Sequence, residues 1–145
     1  MKRIVTHKSC DIDAIGSVWL IKRFLPNWDG AEVVFVNAGE KIKGSYQHEN
    51  EPVEIVDGVE TMQVDTGLGA LDHHQTPDNN TSGAKKTLDF VLSNPDSVLN
   101  KHEVKKEAVE RIVQLIIDDD HFQEVYYEEL PAFYDDFFDF FYCQG

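Results

Sequence analysis

The chain has 145 residues, 41% of them hydrophobic, and a formal net charge of −14. That length supports one core rather than two, and so acidic a surface without a basic stripe disfavours a long phosphate backbone as partner. No apolar stretch is long enough to cross a bilayer, no signal-type apolar region follows Met1-Lys2-Arg3, and Cys10 and Cys143 are too few for a disulfide framework, so a soluble cytoplasmic protein with no membrane partner is expected.

Ile4-Val5-Thr6 reads as a short strand that runs into the polar turn His7-Lys8-Ser9-Cys10-Asp11. From Asp13, the residues Ala14, Ile15, Val18, Trp19, Ile21, Phe24 and Leu25 recur at helical spacing until Pro26 stops them. Glu32 to Val36 reads as a second strand, and the order strand, helix, strand predicts a right-handed crossover in a parallel sheet. Glu40 to Pro52 is polar and reads as an irregular connection. Val53 to Val56 and Thr61 to Val64 are candidate short strands separated by Asp57-Gly58, the second leading into Asp65-Thr66-Gly67-Leu68-Gly69.

Thr81 or Ser82 is placed to cap a helix that continues to Leu92 and breaks at Asn94-Pro95. Lys101 to Asp119 reads as an amphipathic helix with Val104, Ala108, Val109, Ile112, Val113, Leu115, Ile116 and Ile117 on or near one face. Phe122 to Tyr142 is acidic and aromatic, a further helical segment or a surface that docks a partner subunit in a homodimer. His48, His102 and Trp28 read as loop or surface residues, and Cys10 as a small packing residue. The expected fold is α/β: a Rossmann-like, mainly parallel sheet flanked by helices, one domain over 1–145 with a helical C-terminal section at about 102–142.

Polar residues gather at the ends of two strands, the edge where ligands collect in open α/β sheets. His7, Asp11 and Asp13 offer one nitrogen and two carboxylates on one loop, although each aspartate alone also suits a helix N-terminus. Asp65 and Asp72-His73-His74 form a second cluster, and three adjacent polar side chains make poor core packing. Mixed His and Asp sets are typical of divalent transition-metal sites. The run Asp118-Asp119-Asp120-His121 ends a helix where the macrodipole opposes acids, which invites a functional explanation. One of its carboxylates is expected to complete the site.

The run His7-Lys8-Ser9-Cys10-Asp11-Ile12-Asp13-Ala14-Ile15-Gly16-Ser17 resembles the first motif of the DHH phosphoesterase superfamily, Val64-Asp65-Thr66 its second, and Asp72-His73-His74 its eponymous motif. Asp72-His73-His74-Gln75 and Thr81-Ser82-Gly83-Ala84 are most similar to the metal-dependent exonuclease group named after the melanocyte-proliferating gene. Trp19 to Phe24 also resembles a segment of chromate-resistance regulatory proteins. The superfamily resemblance implies one metal on His7, Asp11 and Asp65, and a second on Asp13, Asp65, His73 and Asp120 or, next in order, Asp118. It further implies Asp65 as the bridge, manganese as the ion, His74 as a phosphate-facing catalytic residue and Asp72 as the group that orients its neighbours.

Cys10-Asp11-Ile12-Asp13 stands where the superfamily often has Pro-Asp-Gly-Asp, and the second domain with a glycine- and histidine-rich motif found in many members has no counterpart here. The expected function is metal-dependent hydrolysis of a phosphodiester or phosphoanhydride in a small phosphorylated substrate or short oligonucleotide. The alternative is a catalytically silent metal-binding regulatory or interaction module.

Overall fold

A computed structural model describes residues 1–46 and 49–121; the expectations for His48, the aromatic tail and Cys143 fall outside these residues. The described chain is α/β. It runs β1 (Lys2–His7), α1 (Ile12–Phe24), β2 (Glu32–Val36), β3 (Val53–Val56), β4 (Val59–Gln63), α2 (Gly83–Ser93), a 3-10 turn (Val98–Lys101) and α3 (Glu103–Asp120). Among the described residues, no helix is long and apolar enough to cross a membrane.

The four strands form one mixed sheet in the order β2-β1-β4-β3. The strand β1 lies parallel to both neighbours, with Ile4 opposite Val33 of β2 and Met62 of β4, while β3 is antiparallel to β4. As an inner strand covered on both faces, β1 buries Ile4 and Val5 completely. The hairpin between β3 and β4 closes on Asp57-Gly58, both at positive φ (50° and 75°), the backbone required by a two-residue turn that matches strand twist. Because β1 and β4 run in the same direction, His7 and Asp65 leave the sheet at the same edge.

The sequence pattern places most elements within a residue or two of where they lie. Two boundaries differ for physical reasons. The strand β4 begins at Val59, because the hairpin register pairs Val56 with Val59, and Val64 lies beyond it in an isolated parallel bridge to Leu71. The final helix starts at Glu103 after a separate 3-10 turn, whose N-cap Ser97 accepts a hydrogen bond from the Leu99 amide.

One core cluster joins Ile4, Met62 and Val64 of the sheet side to Leu20, Ile21, Leu88, Val91, Val113, Ile116 and Ile117 of the helices. Only part of the expected apolar stripe of α3 enters it: Val109, Val113, Ile116 and Ile117 are buried, whereas Val104, Ile112 and Leu115 are exposed. Trp28, read above as a loop or surface residue, lies in the loop after α1 but is buried in the core, with the Lys2 ammonium 4.7 Å over its ring. Gly16 matters for packing, since a Cβ there would stand 2.6 Å from Ile116 Cδ1, so its hydrogen lets α3 close against α1.

On the other side, buried Gln63 donates to Ser45 and Glu54 and accepts from the Ile42 amide, which ties the irregular 37–46 connection to the sheet. Leu20→Ala removes a completely buried side chain and should cost about 2–5 kcal/mol. Val104→Ala, at a site 79% exposed, should stay within about 0.5 kcal/mol. Urea unfolding of both variants checks the pair.

Candidate metal centre

His7 is the last residue of β1, and Asp11 caps α1 by accepting a hydrogen bond from the Ala14 amide at 2.9 Å. Asp13 lies in the first turn of α1 yet serves a different helix. Its two carboxylate oxygens accept from the first amides of α2, Gly83 at 2.9 Å and Ala84 at 2.7 Å. Those amides are unsatisfied at a helix N-terminus and carry its positive dipole end, so a buried anion is stable there. Ser82 caps the same turn by accepting from the Lys85 amide.

The close approach depends on Gly83. A Cβ at that position would lie 3.0 Å from Asp65 Cβ and 3.3 Å from Asp13 Oδ2. Asp65 itself stands in the left-handed region (φ 52°), with its amide donating to the Leu71 carbonyl at 3.0 Å. That conformation is costly for a residue with a side chain and is tolerated best by Asn and Asp. It turns a completely buried carboxylate toward the sheet edge.

The Asp65 oxygens face three histidines: Oδ2 is 3.1 Å from His7 Nε2, and Oδ1 is 3.5 Å from His73 Nε2 and 3.8 Å from His74 Nδ1. Asp11 Oδ1 lies 3.9 Å from the same His7 nitrogen. Around His73 Nε2 stand three carboxylates, Asp120 at 3.2 Å, Asp13 at 3.3 Å and Asp65 at 3.5 Å. Despite that crowd, His73 Nε2 and Asp65 Oδ1 are buried and make no directed hydrogen bond. Two buried polar atoms that face one another without a directed bond are suited to a cation, while His7 Nε2 and Asp65 Oδ2 are already hydrogen-bonded at 3.1 Å. His7, Asp11 and Asp65, likewise Asp65, His73 and His74, and likewise His73, Asp120 and His121, lie close enough to share an ion.

Of the acidic run, Asp120 reaches His73, whereas Asp118 Oδ1 accepts from Gln114 Nε2 at 3.0 Å on the exposed side of α3. Asp72 is completely buried and organises its own turn: Oδ1 accepts from the His73 and His74 amides and from His74 Nδ1 at 2.5 Å, and Oδ2 accepts from the Leu68 amide. Nδ1 of His74 is thereby occupied, and its half-exposed ring presents Nε2 as the second functional nitrogen. Cys10, expected as a packing residue, is exposed, and its thiol donates to the His7 carbonyl at 3.1 Å.

Three further residues support the cluster. Gly83 is required sterically, Lys86 donates to the Asp72 carbonyl at 2.7 Å, and His121 Nε2 donates to the Thr81 carbonyl at 2.7 Å. Only the position of His121 directly after the acidic run could have pointed to it.

Burial and the neighbouring charges set the direction in which the proton affinity of Asp13, Asp65, His73 and Asp120 moves. Burial, helped by the charges of Asp13 and Asp11 against a counteracting His73, pushes the Asp65 carboxyl up to about 6. The adjoining carboxylates of Asp13 and Asp65, with Asp120 beyond them, outweigh burial and push His73 up to about 10. Burial raises Asp120 as well, with Asp13 adding to it. At Asp13 burial also acts upward but is outweighed by His73 and the Ala84 and Gly83 amides, which hold this carboxyl below its ordinary range.

No family model, curated protein or solved structure matches the chain.

Asp65 and His73 both bind their proton more tightly folded than unfolded. Stability from each is therefore present below the unfolded value, about 3.9 for Asp and 6.5 for His, and is lost as pH rises to the folded one. For chelator-treated protein the expected result is a Tm that falls from pH 4 to about 6 and again from 6.5 to about 10. Saturating manganese should flatten the second fall, and differential scanning calorimetry across pH checks both.

Proposed function

We propose that the chain is a divalent-metal-dependent phosphoesterase of the DHH type, hydrolysing a phosphodiester or phosphoanhydride. The observation that carries this reading is the single buried carboxylate of Asp65, with one oxygen toward His7 and the other toward His73. A ligand shared in that way is what two adjacent cations need. His7, Asp11 and Asp65 would hold one ion, and Asp13, Asp65, His73 and Asp120 the other. Manganese is the ion that the DHH resemblance implies, and ligand sets in which oxygens predominate accord with it.

Two such cations supply Lewis acidity toward phosphoryl oxygens and a water nucleophile at neutral pH. The protein's own part is to hold the ligands and to orient His74. Asp72 keeps His74 Nδ1 occupied, which leaves Nε2 to contact a phosphoryl oxygen or the leaving oxygen. The negative charge of the chain favours a small phosphorylated substrate or a short oligonucleotide over a long nucleic acid. The parallel pairing of β1 with β2 and β4, and ligands at one sheet edge, support a Rossmann-like framework for the site. A cytoplasmic setting accords with Cys10 as a free thiol.

Hydrolysis of bis-p-nitrophenyl phosphate and of pyrophosphate with added manganese tests the reading. Asp65→Asn keeps a side chain suited to left-handed backbone and should abolish turnover while the domain stays folded. His74→Ala should retain manganese but lose about 10²–10⁴-fold in turnover. Unchanged hydrolysis in Asp65→Asn would overturn the proposal, and manganese binding without turnover in the wild type would favour a silent metal-binding module.

A further inference from the structure

We propose that His121 is a positioning residue of the metal cluster, a latch that ties the end of α3, which carries Asp120, to the first turn of α2, whose amides hold Asp13. The inference rests on reading the cluster as a metal site and adds a residue that the ligand set does not contain.

Asp120 occupies an unfavourable place. It is the last residue of α3, at the negative end of the helix dipole, and it stands among the carboxylates that surround His73. Val113, Ile116 and Ile117 anchor the body of the helix in the core, but helix ends fray, and repulsion would favour an outward swing of this carboxylate. His121 opposes that swing. Its backbone amide donates to the Ile117 carbonyl at 3.1 Å, closing the last turn, and its Nε2 donates to the Thr81 carbonyl at 2.7 Å.

Thr81 immediately precedes Ser82, the N-cap of α2, and Gly83 and Ala84 follow with the two amides that bind Asp13. One side-chain hydrogen bond thus couples two helix ends that bring Asp13 and Asp120 to the same imidazole. The His121 ring also stands edge-on to that of His73, with centroids 5.8 Å apart at 85°. His121 Nε2 lies 3.8 Å from Asp120 Oδ2, so the imidazole could alternatively bind an ion itself. Binding through Nε2 would require that atom to leave the Thr81 carbonyl, on which it stands at 2.7 Å, and this favours the latch.

Two variants separate these roles. His121→Gln offers an amide N–H where Nε2 stood, whereas His121→Phe keeps a ring without a donor. Each is titrated with manganese, free ion being followed by electron paramagnetic resonance, and amide hydrogen exchange at Gly83 and Ala84 is measured on the metal-free proteins.

In the Phe variant, one of two manganese equivalents should weaken by about 10–100-fold, the usual cost of losing a group that supports a ligand. Exchange at Gly83 and Ala84 should quicken about fivefold in that variant, with Gln restoring both properties to within about threefold, as for one recovered hydrogen bond. Wild-type behaviour of the Phe variant in both measurements would overturn the latch. Normal exchange in the Gln variant with manganese binding as weak as in the Phe variant would also overturn it, in favour of imidazole as a ligand. Absence of manganese binding in the wild type would remove the metal reading, and the exchange comparison alone would then decide the latch.

Discussion

The concentration of buried carboxylates around His73 is the constraint on which the rest of the site depends. Asp13, Asp65 and Asp72 are essentially inaccessible to water, and Asp120 joins two of them at the same imidazole. Burying one charge without a partner is expensive, and burying several of one sign close together is more so. Each of the three fully buried carboxylates is accordingly matched to a source of positive potential. Asp13 has the N-terminus of α2, Asp72 has backbone amides and His74, and Asp65 has three imidazoles. Among the atoms left unbonded, His73 Nε2 and Asp65 Oδ1 lie where a cation would supply the missing partner.

The scaffold serves that arrangement from several directions. Parallel pairing of β1 with β4 brings His7 and the segment leading to Asp65 to one edge, and the left-handed backbone of Asp65 turns its carboxylate between the two clusters. Gly16 and Gly83 then act as close-approach points, the first for α3 against α1 and the second for α2 against Asp65. These approaches bring three helix ends to a sheet edge. Ligands drawn from so many separate elements leave little freedom for the site to relax when one of them changes.

Much of this was legible in the sequence because chemistry and periodicity coincide there. His7, Asp11, Asp13, Asp65, Asp72, His73 and His74 stand out as polar residues beside short apolar strands, and the strands and helices around them follow from alternation, helical spacing and capping residues. The use of Asp13 as the anion for α2 was not legible, because it depends on a contact between residues 70 positions apart. Trp28 stands in a loop as its surroundings suggest, but its burial is not legible, because an isolated tryptophan carries no periodicity and packing of the α1–β2 connection decides it. The exposure of Val104, Ile112 and Leu115 is likewise tertiary, since an apolar helix residue does not itself state which neighbour covers it. The sequence places Asp120 ahead of Asp118 without a distinctive spacing, and the direction of the last turn of α3 is what separates them, with Asp120 beside His73 and Asp118 on Gln114.

The most direct test of the central claim is elemental analysis of the purified chain after incubation with manganese and desalting. The proposed two-metal reading predicts close to two equivalents in the wild type, and a fall in metal content when His73 is replaced by Ala. Retention of no metal by the folded wild-type chain would contradict the account and leave the carboxylate cluster to be stabilised by protons and amides alone.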